Sequence, residues 1–336
     1  MKKLISLICV LAMVLALAAC GSSAPAATEA TAAAEASAED TAADKTYVIG
    51  ICQLVQHPAL DAATQGFKDA LTDALGDKVT FQEQNASGDS ATCSLICNQF
   101  VSDEVDLIMA NATASIQAAS SATNTIPILG TSITDYGVAL GIDDWTGVSG
   151  INISGTSDLA PLDGQAAMIQ ELFPDAKTVG LLYCSGEPNS IFQADSMETL
   201  LTDMGYSVER YTFADSNDVS SVTANACSNV DVLYIPTDNT AASCTEAINN
   251  VALNAGVPIV AGEEGIAAGC GVATLSISYY DLGRTTGEMA AEILTEGADI
   301  STMEVRFAPT FTKEYNADIC EALNITVPED YVAIAE

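Results

Sequence analysis

The chain is 336 residues long, enough for one large core or for two lobes. Its 45 acidic residues against ten Lys and Arg give a formal net charge of −35. So acidic a chain excludes nucleic acid as a partner and argues against polybasic contact with a membrane; the charge reads as a solubility feature of the surface.

Lys2 and Lys3 precede an apolar run from Leu4 to Ala19, with small residues before Cys20. That is the pattern of a secretory signal peptide, and the run is short for a spanning helix. Leu17-Ala18-Ala19-Cys20-Gly21 resembles a bacterial lipobox, which implies cleavage before Cys20 and lipidation of that cysteine. Two acyl chains plus an acylatable amine would anchor the chain stably. An ordinary signal peptide cut elsewhere is the alternative. Residues 21–44 are rich in Ala, Ser, Thr and Glu, carry no bulky apolar side chain, and read as a disordered tether.

The folded part starts near Lys45, and the stretch Tyr47 to Gly66 sets its pattern. A short apolar run fits a strand buried on both faces. Pro58 then disfavours helix at His57, so the chain turns there. Leu60, Ala63, Phe67, Ala70, Leu71 and Ala74 recur at helical spacing. The polar segment Gln53 to Asp61 is thereby held between a strand end and a helix start, where open α/β sheets bind ligands.

Further strands are expected at Val79–Gln84, Leu107–Ala110, Ile126–Gly130, Val148–Ile153, Thr178–Tyr183, Ser207–Phe213, Val232–Ile235, Pro258–Ala261 and Val272–Ser276. Helices are expected at Leu159–Phe173, Ile191–Met204, Ala241–Ala255 and Leu282–Thr295. The alternation indicates parallel sheets covered by helices. An internal echo doubles it: Asp106 to Ser132 repeats in outline as Asp231 to Glu263, and Gln84–Asp89 matches Phe213–Asp218 in position. Two similar βαβ halves imply two lobes sharing a cleft.

Of ten cysteines, Cys9 lies in the signal and Cys20 is the lipid site; the other eight fall mostly in apolar runs and read as buried free thiols. With one histidine and no Cys-x-x-Cys, no metal site is expected. There is no Gly-x-Ser-x-Gly elbow and no phosphate loop, so neither catalysis nor a cofactor is expected. Gly283 and Gly287 sit in a helical stretch and suggest close packing.

The motifs His57-Pro-Ala-Leu-Asp61, Thr131-Ser-Ile-Thr-Asp135, Gly155-Thr-Ser-Asp158, Pro236-Thr-Asp-Asn-Thr240, Glu264-Gly265 and Tyr279-Tyr-Asp-Leu-Gly-Arg284 come in this order. Together they resemble the substrate-binding proteins of ABC transporters with the type I periplasmic-binding fold, and more narrowly the family that binds aromatic amino acids. Gln56, the Cys184–Ser190 run and Glu263 depart from its usual pattern. The resemblance implies a two-lobed α/β protein with three hinge crossings. Lobe one would hold residues 45–154 and about 264–302; lobe two would hold 155–263 and about 303–336. It implies a lipid-anchored extracytoplasmic receptor that delivers a small molecule, an amino acid above all, to ABC permease subunits. Its ligand residues would be Gln53, His57, Pro58, Asp61, Ala112, Thr113, Thr131, Ser132, Asp135, Ser157, Asp158, Glu187, Asn189, Ser190, Thr237, Asp238, Asn239 and Glu264.

A zwitterion needs donors for its carboxylate and an anion or carbonyl for its ammonium. Thr113 opens a helix after a buried strand and Thr131-Ser132 ends the next, so both suit the carboxylate; Thr113 alternatively caps its own helix. Asp238 suits the ammonium, or alternatively forms an Asx turn capping the next helix. Glu187 and Glu264 are weaker candidates of the same kind. A sensor of the same fold signalling to a membrane kinase, a nucleoside or sugar receptor, and a secreted hydrolase are the competing functions.

Overall fold

The computed structural model describes residues 45–308 and 310–335. The signal peptide, Cys20 and the tether lie outside the described residues. Buried strands alternate with helices to build two sheets in succession. The first half runs β1 (Tyr47–Gln53), α1 (Pro58–Leu75), β2 (Val79–Asn85), α2 (Ser90–Ser102), β3 (Leu107–Asn111), α3 (Thr113–Ala122), β4 (Ile128–Ile133), α4 (Tyr136–Leu140) and β5 (Ile153–Ser157). The second half runs α5 (Leu162–Leu172), β6 (Thr178–Cys184), α6 (Pro188–Asp203), β7 (Ser207–Phe213), α7 (Val219–Cys227), β8 (Val232–Ile235), α8 (Asn239–Ala242), α9 (Thr245–Ala255), β9 (Ile259–Ala261), α10 (Glu264–Cys270) and β10 (Ala273–Ser276). The chain ends with α11 (Tyr279–Glu296), β11 (Arg306–Phe307), β12 (Thr312–Tyr315), α12 (Ala317–Ala322) and β13 (Val332–Ala333).

The sheet of lobe one has the order β11-β5-β4-β3-β1-β2, and that of lobe two β13-β12-β10-β9-β8-β6-β7. Pairing is parallel except where β12 meets β10. β3 and β4 are buried at every residue, as befits strands with helices on both faces. Hence their apolar runs do not alternate. The carboxyl ends of β1, β3, β4 and β5 form one polar edge, and those of β6, β8 and β9 form the other.

Three boundaries differ from those expected. β5 begins at Ile153 and runs through Ser157, so residues 155–157 belong to the first sheet, not the second. Val148–Asn152 is no strand: Gly147 and Gly150 turn at φ +95° and +72°, and the Ser149 hydroxyl bonds the Ile153 carbonyl. A Cβ at Gly155 (φ +141°) would lie 2.0 Å from the Gly130 carbonyl oxygen, so the strand passes its neighbour there only as glycine. Likewise α10 and β10 stay with lobe two, because β10 pairs with β9, and the chain recrosses at about Ile277 and not near Glu264. β11 returns to the first sheet beside β5, so residues 306–307 also belong to lobe one.

α11 lies along α1 in lobe one. A Cβ at Gly66 would sit 2.0 Å from the Tyr280 carbonyl oxygen, and one at Gly283 would sit 2.0 Å from that of Ala63. The two helices therefore touch backbone to backbone, the packing that the helical glycines suggested. All eight cysteines among the described residues are free thiols, six of them buried. None of the described helices is long and apolar enough to cross a membrane.

Candidate functional site

A cavity of about 370 Å³ opens between the two polar edges. Leu54, Val55, Ala114 and the Ser87–Ser90 loop wall it from lobe one; Cys184, Glu187, the Ala214–Ser216 loop, Asn239 and Thr240 wall it from lobe two. The two loops after β2 and β7 are the segments whose sequences echo each other, so equivalent turns of the two halves face one cavity. Larger cavities lie near residues 172–176 in lobe two and beside Thr302–Phe307 in lobe one, away from this meeting of the two edges. Among the described residues no group of three or more His, Cys, Asp or Glu is placed to hold a metal ion.

Lobe one presents a row of polar atoms without partners in the protein. His57 Nδ1, Asn111 Oδ1, Ser132 Oγ and Asp158 Oδ1 are all buried and make no hydrogen bond. They follow or end β1, β3, β4 and β5, four neighbouring strands. Ala112 (φ +87°) and Ser132 (φ +56°) hold backbone conformations uncommon for residues with a side chain, at the ends of the two central strands. Ala112 caps α3 with no side-chain hydrogen bond, and His57 caps α1 likewise. Thr113 is the buried first residue of α3, and α3 starts without a side-chain cap.

The other expected residues of lobe one are engaged locally. Gln53 Nε2 donates to Asp61 Oδ1 (2.6 Å) and to the Val55 carbonyl (2.9 Å), while its Oε1 accepts from the Thr64 hydroxyl (2.6 Å). Pro58 is the exposed first residue of α1. The Thr131 and Thr156 hydroxyls lie 3.2 Å apart. Asp135 caps α4, accepting from the Val138 N–H at 2.7 Å. Ser157 Oγ donates to the Thr134 carbonyl (3.0 Å). Asp158 Oδ2 accepts from the Tyr279 hydroxyl (3.0 Å) at the crossing into α11. Burial pushes the Asp158 carboxyl up to about 6, against the pull of its Tyr279 bond.

Lobe two turns its carboxylates inward on its own backbone. Asp238, 1% exposed, accepts from the Ala241 N–H and the Cys184 N–H, both at 2.7 Å, one on each oxygen. It is a cap of α8 that also ties down the end of β6. Burial, and then the Glu187 charge, push its pKa up. Glu263 caps α10 through the N–H groups of Gly265 and Ile266 (2.6 Å each), and burial raises it to about 7. Glu187 takes Asn239 N–H (3.0 Å), Asn239 Nδ2 (2.7 Å) and Asn189 Nδ2 (3.1 Å) on one oxygen, and the Thr240 N–H (2.9 Å) and hydroxyl (2.7 Å) on the other. Asn189 also donates to the Thr237 carbonyl (3.0 Å) and to Ser190 Oγ (3.3 Å). Glu264 is half-buried, outside the cavity wall, and its charge is felt by Glu314 on β12.

One hydrogen bond joins the two polar edges: His57 Nε2 lies 3.3 Å from Asn239 Oδ1. Burial holds the His57 imidazole below its ordinary pKa, against the pull of Asn239, Glu187 and Asp61.

Residues 48–336 match the family described as ABC transporter substrate binding protein. The chain belongs to that family. It is 37% identical over 288 residues to the tyrosine-binding protein of Clostridioides difficile (strain R20291), covering 85% of this chain and 83% of that one. The L-Trp complex of an ABC domain from Streptococcus pneumonia is 31% identical, with a TM-score of 0.81 over 85% of this chain and 97% of its own. The ligand-free, open structure of a substrate-binding protein with adhesive properties from Clostridium difficile is 37% identical, with a TM-score of 0.66 over 86% of this chain and 99% of its own. The fold is that of the type I periplasmic-binding proteins.

Within this substrate-binding protein, the expected site residues divide by lobe. His57, Ser132 and Asp158 each carry a buried atom without a partner, whereas Asp238 accepts a backbone N–H on each oxygen. Asn111 belongs to the unpartnered row but was not expected; its place as the last residue of an all-buried strand was the available signal. The loops Ser87–Ser90 and Ala214–Ser216 were visible as an echo without being read as walls.

Proposed function

We propose that this substrate-binding protein is a lipid-anchored, extracytoplasmic receptor that captures an amino acid, aromatic ones foremost, by closure of its lobes and delivers it to an ABC import permease. The row of four buried, unpartnered polar atoms on lobe one carries the reading. Buried polar groups in folded proteins are hydrogen-bonded, so a row of orphans at neighbouring strand ends is where a polar ligand belongs. Asp158 is the buried carboxylate with an oxygen left over, so it takes the ammonium. The uncapped start of α3 and the Ser132 hydroxyl take the carboxylate, as helix N-termini do for anions. Asp238 has a backbone donor on each oxygen and serves α8 and β6, and on this reading the ammonium goes to Asp158, which keeps one oxygen without a partner.

The relatives support the ligand class, one being named for tyrosine and one holding L-Trp. The setting of the lobes agrees with capture. The chain superposes better on the L-Trp complex (TM-score 0.81) than on the open structure (0.66), although the open one is closer in sequence. The lipobox ending at Cys20 supports the anchor: Cys20→Ser should abolish lipid labelling of the mature protein, and labelling that persists would refute it.

A thermal-shift screen of the purified protein tests the ligand class. At a hundredfold excess over Kd, ligand adds about 2.7 kcal/mol of apparent stability. L-tyrosine, L-tryptophan or L-phenylalanine should raise Tm, and myo-inositol and adenosine should not. A shift with the cyclitol or nucleoside alone would overturn the reading.

A further inference from the structure

His57 is the only histidine in the chain, and its ring is 7% exposed. Its protonation pattern follows from a chain of hydrogen bonds that begins in the other lobe. Glu187 accepts from both the backbone N–H and the Nδ2 of Asn239. That fixes the Asn239 amide, and the atom it turns to His57 is Oδ1. A carbonyl oxygen only accepts, so His57 Nε2 must carry the proton. In a neutral imidazole the other nitrogen is then a bare lone pair, and burial favours the neutral ring. That lone pair, on Nδ1, is buried and has no partner in the protein.

The position of His57 says which part of a ligand it meets. Asp158 follows β5 and His57 follows β1, with β4 and β3 between them. Three strand spacings separate them, ~14 Å. The uncapped start of α3 and Ser132 follow the two strands in the middle. An amino acid with its ammonium at Asp158 and its carboxylate at α3 therefore extends its side chain toward His57. Leu54 and Val55, from the same loop as His57, wall the cavity of about 370 Å³ together with Asn239, the hydrogen-bond partner of His57.

We propose that Glu187 and Asn239 position His57 as the Nε2–H tautomer so that its Nδ1 accepts a hydrogen bond from the ring donor of the ligand, the tyrosine hydroxyl or the tryptophan indole N–H. The inference rests on the amino-acid reading above and makes His57 its specificity determinant. Phenylalanine, which fills the same space without a donor, leaves the buried lone pair unpaired. Sites built for a donor reject analogues that lack it.

Calorimetric titration of the purified protein with L-tyrosine, L-tryptophan and L-phenylalanine is the test. Tyrosine and tryptophan should bind at least about tenfold more tightly than phenylalanine. In His57→Gln the amide nitrogen reaches the place of Nε2 and keeps the bond to Asn239, but nothing accepts at the place of Nδ1. The advantage of tyrosine and tryptophan over phenylalanine should then disappear, the ratio of affinities falling to about one. Glu187→Gln frees the Asn239 amide, and the preference should narrow there also, which a merely structural role of Glu187 would not produce. Equal affinities of the wild type for all three, or a preference kept in His57→Gln, would overturn the inference while leaving an amino-acid receptor. Absence of binding by all three would overturn the amino-acid reading and this inference with it.

Discussion

The two lobes share one architecture and use it in opposite ways. In lobe one the strand ends stop short of satisfying themselves. His57, Asn111, Ser132 and Asp158 keep buried atoms without partners, α1 and α3 start without a side-chain cap, and Ala112 and Ser132 hold positive φ. In lobe two one buried hydroxyl, Thr274 Oγ1 within β10, lacks a partner, but the carboxylates beyond the strand ends are closed by the protein. Glu263 caps α10 with both oxygens, Asp238 caps α8 with one and holds the end of β6 with the other, and Glu187 gathers five donors from Asn189, Asn239 and Thr240. The difference teaches that a carboxylate beyond a strand end can serve its own backbone, as Asp238 does, or keep an oxygen without a partner, as Asp158 does. On the proposed reading lobe one is completed by its ligand, and lobe two meets it through the Asn239 contact to His57.

Acidification should break the contrast first. Asp158 has a pKa raised to about 6 by burial, and an ammonium beside it would draw that value down. A group whose bound-state pKa is depressed contributes its binding energy above the free-state pKa and loses it below. Affinity for L-tyrosine should thus be full above pH 6 and fall about tenfold per unit below it. His57 acts in the same direction, since closure favours its neutral form. Titrations at pH 7.5, 6 and 5 would show the fall, and a flat profile would exclude Asp158 from the ammonium.

Fold stability should run the other way with pH, because lobe two contributes to it. Glu263 has a folded pKa of about 7, well above the ordinary glutamate value, so between those values the folded state binds the extra proton. Stability is then greatest at the acid end of that window and is lost as pH rises through 7. Tm should rise as pH falls from 8 to 5. Glu263→Gln should flatten the dependence by an amount on the order of 1–3 kcal/mol. A slope unchanged in this variant would remove Glu263 as its source.

The smallest effect concerns the strained start of α3. Ala112 at φ +87° and ψ 161° occupies a region that suits glycine. Ala112→Gly should raise stability by about 1 kcal/mol in chemical denaturation. A loss of stability would mean that the methyl group packs usefully in the core and outweighs the strain.

Much of this was legible in the sequence. The expected strand runs lie on or beside β1 to β4 and β6 to β10, because strands covered on both faces read as continuous apolar runs. β5 was misplaced because Val148–Asn152 looks like a strand by composition, yet glycine turns at 147 and 150 break it. The second crossing was placed too early because β10 is only four residues and its pairing with β9 has no local signal. His57, Ser132 and Asp158 were named through motifs. Asp238 suits either an ammonium or a cap of α8 by local pattern, and the cap is seen; its second bond, from the Cys184 N–H 54 residues away, has no local signal. The same holds for His57, whose partner Asn239 lies in the other lobe, 182 residues along the chain.

The most direct measurement sets the two aspartates against each other by calorimetric titration of L-tyrosine at pH 7.5 into Asp158→Asn and Asp238→Asn. Losing a charge-assisted partner costs about 1.5–3 kcal/mol, so Asp158→Asn should bind one to two decades more weakly with its fold intact. Asp238→Asn should bind within about threefold of the wild type and instead lose about 1 kcal/mol of stability as a weakened cap. The reverse result, wild-type affinity in Asp158→Asn and a loss of decades in Asp238→Asn with unchanged stability, would contradict the division of labour between the lobes.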